Sequence, residues 1–261
     1  MLVPSFTIAS IIISLAVVVG APIVLLIIFK KKFDISIKAV LFGVLTFFAF
    51  AYILEGLVHA IFLEWNKTTK ALLENTWLFM LYGGLMAGIF EETGRFIMMR
   101  YALKKYREWK DGLAFGLGHG GIEAILIVGM NSVVMIVLAF MINNGTYDAF
   151  ITGKGAEALA PLHDQLTGSA SFIQLFAGVE RLGALAIHMG LSILVLYGIK
   201  EGKKVYLLYA ILIHAVIDFP AALYQKGIIN IFVVEAYLIL LAVGFIVWIV
   251  KSRSLFSSDR I

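Results

Sequence analysis

Apolar residues do not alternate with polar ones along this chain. They come in long runs separated by short polar breaks. Seven such windows stand out, about Phe6 to Phe29, Ala39 to Leu63, Trp77 to Met99, Gly112 to Ile142, Phe172 to Ile199, Val205 to Tyr224 and Ile228 to Val250. At 1.5 Å of rise per residue each is long enough to cross a hydrocarbon layer of about 30 Å. The pattern predicts an all-α fold, a polytopic transmembrane bundle of about seven spans. Asn143 to Ser171, with Gly145, Gly153, Gly155, Pro161 and Gly168, reads as an external loop that can hold a short surface helix. Without an internal repeat, low-complexity tract or linker, the chain is expected to form one membrane-embedded domain over residues 1–261, with its catalytic core at about 77–225.

Composition narrows the class further. With 61% hydrophobic residues, a mean hydropathy of +0.97 and only 15% charged residues, the chain is placed in the cell membrane as a multi-pass protein. It has no cysteine, which excludes disulfides, thiolate metal sites and a thiol nucleophile. Its net charge of +4 is not interleaved with aromatics, so no nucleic-acid partner is expected; the bilayer is. The first window has no basic residue before it and is followed by Lys30-Lys31-Lys32, which predicts a retained anchor with the N-terminus outside. That orientation puts 15 of the 21 Lys and Arg residues in the cytoplasm, Arg260 among them, and only Lys67, Lys70, Lys154 and Lys226 outside. The positive-inside rule therefore favours an external N-terminus and a cytoplasmic C-terminus.

Against this background Phe90-Glu91-Glu92-Thr93-Gly94-Arg95 is costly, because it sets two carboxylates and a guanidinium inside the third window. Ionisable residues at membrane depth cost several kcal/mol unless they are paired or face a wet cavity, so they point to function. Arg95 lies one turn beyond both glutamates and can pair with either. A buried structural staple is the plain alternative. The fourth window carries His119 and Glu123 one turn apart, the sixth carries His214 and Asp218 at the same spacing, and the fifth carries His188. Counted from the cytoplasmic ends of their windows, Glu91, His119, His188 and His214 fall at roughly 10–18 Å, with Asp218 and Glu123 a little deeper. One substrate could reach such a layer. Gly84, Gly88, Gly116, Gly120 and Gly121 near it permit close helix approach. Glu55 with His59, and Glu180 with Arg181, fall toward the outer surface and are expected to be structural pairs or the lining of an outer opening. His163-Asp164 reads as a solvated loop pair.

A carboxylate shielded from bulk water but beside a wet cavity can take a proton from a bound water while Arg95 keeps its neighbour charged. Histidines oriented by Asp218 or Glu123 can donate to an oxyanion, or bind a metal through the free nitrogen. Either route leads to hydrolysis of a carbonyl compound, most naturally a peptide bond in the membrane. Zinc held by His119, His188 and His214 is possible, although no His-Glu-x-x-His helix occurs and no cofactor is favoured. Phe115 and Glu123 are candidates for substrate contact.

Glu91-Glu92 with Arg95, Phe115-x-x-x-His119 and His214-x-x-x-Asp218 on successive helices resemble the motifs of the superfamily of CAAX proteases and bacteriocin-processing enzymes. The similarity is greatest to its YhfC branch, near PrsW and the Aph subunit of gamma-secretase, and covers roughly Tyr82 to Tyr224. It implies an intramembrane endopeptidase acting on membrane-associated proteins or peptides, with one glutamate activating water and histidines binding the oxyanion. Asp218, where CAAX proteases usually carry Asn, points away from prenyl-protein processing. The Aph relative shows that the histidines can persist in a non-catalytic scaffold or receptor. A proton-coupled carrier is the third reading, and it would favour inverted repeats that this sequence lacks.

Overall fold

The structure, a computed structural model, describes residues 2–168 and 173–257. The last residues of the expected external loop, up to Ser171, together with Phe172 and Arg260, lie outside the described residues. All secondary structure among the described residues is helical. The helices are α1 (Ser5–Phe33), α2 (Ile37–Trp65), α3 (Lys67–Leu72), α4 (Thr76–Ile97), α5 (Trp109–Asn143), α6 (Tyr147–Phe150), α7 (Lys154–Thr167), α8 (Ile173–Lys200), α9 (Val205–Gln225) and α10 (Ile231–Ser252). Six of them, α1, α2, α5, α8, α9 and α10, are long and apolar enough to cross a membrane. The remaining expected span is α4, 22 residues long, and it is set apart by carrying Glu91, Glu92 and Arg95. The chain is thus a polytopic helical membrane protein.

Local chemistry fixes where several helices begin. Ser36, Asn75 and Asn230 cap α2, α4 and α10, each side chain accepting from backbone N–H groups two or three residues on. Asp34 takes the left-handed conformation, φ 50°, in the tight turn between α1 and α2. The expected external loop folds into α6 and the 14-residue α7, and His163 lies on α7 with its Nδ1 3.4 Å from Asp164 in an exposed pair.

The chain divides into two compact units, with the divisions falling inside α1, α5 and α8. The first takes in residues up to Val24 and Glu123–Leu182. Its core gathers Val3, Ile11, Met135, Leu138, Ala139 and Leu166. Asn143 clamps the chain start by accepting from Val3 N at 2.7 Å and donating to Val3 O at 3.2 Å. Within it Glu123, Arg181 and Glu180 form a cluster in which Arg181 Nη1 donates to Glu123 at 2.8 Å and Nη2 to Glu180.

The second unit comprises Leu25–Ile122 and Gly183–Ile261. The C-terminal part of α8 runs through its core, where residues 185–199 are buried except for the half-buried Leu194. Trp109 at the start of α5 donates its indole N–H to Ile249 O at 3.0 Å and packs edge-on against Phe33, the last residue of α1. Between them in sequence, α2 and α4 carry the chain away and back, so that Phe33 and Trp109 end as neighbours. Outward faces of α1, α9 and α10 in this unit expose Ile27, Leu212, Leu240 and Val247, the kind of surface a hydrocarbon solvent accepts.

Candidate active site

Four helices of the second unit converge on the Glu-Glu pair, and small residues bring them there. A Cβ on Gly84 or Gly88 of α4 would stand 2.5 Å from the carbonyl oxygen of Ala215 or Ile211 on α9, so only glycine allows that approach. On α5 a Cβ at Gly116 would meet Met189 Cα at 2.4 Å, and one at Gly120 would meet His188 Cβ at 3.1 Å. The backbone of α4 is thereby pressed against α9, and that of α5 against α8. Side chains long enough to reach inward, Glu, Arg and His, then fill the space between them.

The two glutamates are wired differently. Glu92, fully buried, is hydrogen-bonded by Arg95 one turn on, and its Oε1 also faces His214 Nδ1 at 2.7 Å. Arg95, fully buried as well, sends Nη2 to His188 Nδ1 at 3.1 Å. A guanidinium can only donate, so this nitrogen of His188 accepts. Glu91 presents Oε2 to three imidazoles: His119 Nε2 at 2.8 Å, His188 Nδ1 at 3.8 Å and His214 Nε2 at 3.9 Å. The rings of His119 and His188 stand 4.9 Å apart and those of His188 and His214 5.6 Å. Ligand atoms of Glu91, His119 and His188 all lie within 4.8 Å of one another, close enough for one metal ion to draw on them together.

Every residue expected from α4, α8 and α9 reaches this cluster, and the partners refine the expectation. Arg95 had two candidate partners and takes Glu92. The imidazole of His214 was expected to be held by Asp218; its hydrogen bond goes to Glu92, and Asp218 Oδ2 stands 3.4 Å from the other nitrogen. Glu123, one turn from His119 in sequence, has its carboxylate engaged by Arg181 in the first unit, while His119 Nε2 is taken by Glu91. Phe115, fully buried, stacks on His119 at 6.5 Å.

Two neighbours were not anticipated. Phe47 meets His119 edge-on at 5.4 Å from a π-helical stretch of α2, Phe47–Glu55, whose wider turns change which residues face α5. Tyr82 closes a second chain, its hydroxyl 2.8 Å from His59 Nδ1 while His59 Nε2 lies 3.2 Å from Glu55. A cavity of about 370 Å³ lined by His59, Tyr82, Phe79 and Gln225 extends to Asp218. The signal for Phe47 was a longer helical period, which apolar windows do not resolve.

Residues 15–238 match the family described as YhfC intramembrane metalloprotease. The chain is 46% identical over 237 residues to the "uncharacterized membrane protein YhfC" of Bacillus subtilis (strain 168), which covers 90% of this chain and 92% of that protein. No solved structure matches.

Proposed function

Because this chain belongs to the YhfC intramembrane metalloprotease family, we propose that it hydrolyses peptide bonds of membrane-associated proteins or peptides at the Glu91 cluster, with its N-terminus outside the cell. The observation that carries the reading is the division of labour between adjacent carboxylates. Glu92 is taken up by Arg95 and His214, whereas Glu91 Oε2 faces three imidazoles. Glu92 and Arg95 therefore act as positioning residues. They satisfy each other's charge in a buried place and hold His214 and His188 in register.

In this scheme Glu91 takes a proton from the attacking water and returns it to the leaving amide nitrogen, as a general base and then acid. His214, its Nδ1 engaged by Glu92, keeps Nε2 between Glu91 and Asp218, where a protonated nitrogen donates to the developing oxyanion. His119, packed between Phe47 and Phe115, fixes the Glu91 carboxylate. The substrate reaches Asp218 through the 370 Å³ cavity, whose Tyr82 and His59 contact the peptide.

The donor set fits zinc, since two imidazoles with a carboxylate are a usual catalytic combination. Its 4.8 Å span is within about 1.5 Å of the separation that bonds of ~2.1 Å at tetrahedral angles impose. His119, His188 and Glu91 would hold the ion, with His214 beside them. Bound there, zinc would supply a Lewis acid for the scissile carbonyl and for water. A metal-free glutamate mechanism is the second reading, in which His119 holds Glu91 directly at 2.8 Å and Arg95 orients His188 through Nδ1. Cleavage of membrane-protein substrates in proteoliposomes, followed before and after a strong chelator with zinc quantified by elemental analysis, separates the two. For the metal-dependent enzyme, activity is lost with the zinc and returns on its addition. Full activity in zinc-free protein establishes the glutamate type.

A further inference from the structure

A second concave site lies where α1 ends, α5 begins and α10 passes into its terminal turn, all within the second unit. It encloses about 720 Å³, and its charges do not balance. Of the two carboxylates on its wall, Glu108 pairs with Lys110 at 3.3 Å and Asp34 with Lys30 at 2.5 Å. The Lys30 hydrogen bond and charge hold the Asp34 carboxyl below its ordinary range, so its charge is spent on Lys30. Lys31, Lys32 and Arg253 have no carboxylate partner among the described residues. Among the described residues, three cations thus face one cavity without a carboxylate paired to them.

Aromatic rings hold two of them, Lys32 and Arg253, in place. The Arg253 guanidinium lies 5.6 Å from the Phe33 ring and 5.7 Å from that of Trp109, and Lys32 lies 5.4 Å from Phe33. Trp109 is itself fixed, its indole shared between Ile249 O and Ser252 Oγ at 3.0 and 3.2 Å. An aromatic floor that orients a planar cation is suited to a phosphate oxygen pair. Next to the cavity the outward faces of α1 and α10 expose Ile27, Ile28, Val247 and Val250. Those apolar faces favour a ligand with acyl chains over a free anion.

We propose that this cavity binds the phosphate-bearing head group of an anionic phospholipid, with Lys31, Lys32 and Arg253 on the phosphate and the acyl chains along α1 and α10. Basic pockets at the ends of membrane helices have the electrostatics for this. Nothing in it depends on the protease reading, since the site shares no residue with the Glu91 cluster.

The test uses the full chain, delipidated in detergent and titrated with phosphatidylglycerol or with phosphatidylcholine of the same acyl chains, with adducts counted by native mass spectrometry. Wild type should bind phosphatidylglycerol about a hundredfold more tightly. At roughly 1 kcal/mol per basic residue, combining Lys31→Gln, Lys32→Gln and Arg253→Gln should weaken it about a hundredfold, to the phosphatidylcholine level. A charge-matched control at the exposed Lys104, Lys203 and Lys204 should change it by less than about threefold. Should the triple variant not fold, Lys31→Gln alone, at an exposed position, should still weaken binding about fivefold. An equal loss in the control variant overturns the proposal in favour of diffuse surface charge. Displacement of the lipid by glycerol 1-phosphate at the lipid's own binding concentration overturns it in favour of a soluble anion.

Discussion

Two acid–histidine clusters lie among the described residues of the second unit, and each sets a glutamate against imidazole. In one, Glu55 and His59 lie a turn apart on α2 and Tyr82 completes a linear chain. In the other, Glu91 sits among imidazoles from three other helices. The His59 side chain is 34% exposed, whereas that of His119 is fully buried. The difference is convergence. A linear chain satisfies its members and leaves one carboxylate oxygen facing one imidazole, while Glu91 Oε2 faces three imidazoles, of which Glu92 engages His214 and Arg95 engages His188. Only the second arrangement offers a reacting atom more than one partner at once.

Breaking the anchor of the convergent cluster should have the largest effect. Arg95→Leu leaves the buried Glu92 carboxylate without its cation, and a loss of about 3–5 kcal/mol in stability is expected, read as a large fall in the unfolding midpoint in detergent. Arg95→Lys should recover only part of it, because an ammonium cannot serve Glu92 and His188 in the same fork. Wild-type stability in Arg95→Leu would remove the anchor from the account.

Removing a convergent donor should come next. His119→Ala and His214→Ala are each expected to lower turnover about 10²-fold or more, with the fold retained by circular dichroism. In the linear cluster Tyr82→Phe removes one hydroxyl, and should cost at most about threefold in turnover and about 1 kcal/mol in stability. Losses of similar size in Tyr82→Phe and His119→Ala would dissolve the distinction between the clusters.

Much of this was legible before the structure, for identifiable reasons. Long apolar runs exposed the helices because a membrane span tolerates few charges, so each charge inside one was conspicuous. The third window shows the principle most clearly: Glu91, Glu92 and Arg95 betray the site and also keep α4 apart from the six more apolar helices. Depth along each run put His119, His188 and His214 at one level, and in the structure their rings are neighbours, 4.9 Å from His119 to His188 and 5.6 Å from His188 to His214. Partner choice was not legible, because residues one turn apart on a helix need not face each other once another helix offers a better partner. His214 finds Glu92 across the α4–α9 contact that Gly84 and Gly88 permit, and Asp218 becomes its second neighbour. Phe47 was hidden because a π-helical stretch shifts which side chains share a face.

The central claim is that Glu91 and Glu92, adjacent in sequence, have separate jobs, and one comparison tests it most directly. Glu91→Gln and Glu92→Gln are each reconstituted in proteoliposomes with the same membrane-protein substrate, and cleavage rate and unfolding midpoint are measured for both. Glu91→Gln keeps the shape but not the proton acceptor, so cleavage should vanish while the midpoint stays near that of wild type. Glu92→Gln should instead lower the midpoint, because Arg95 loses its counter-charge. Full cleavage by Glu91→Gln would contradict the account.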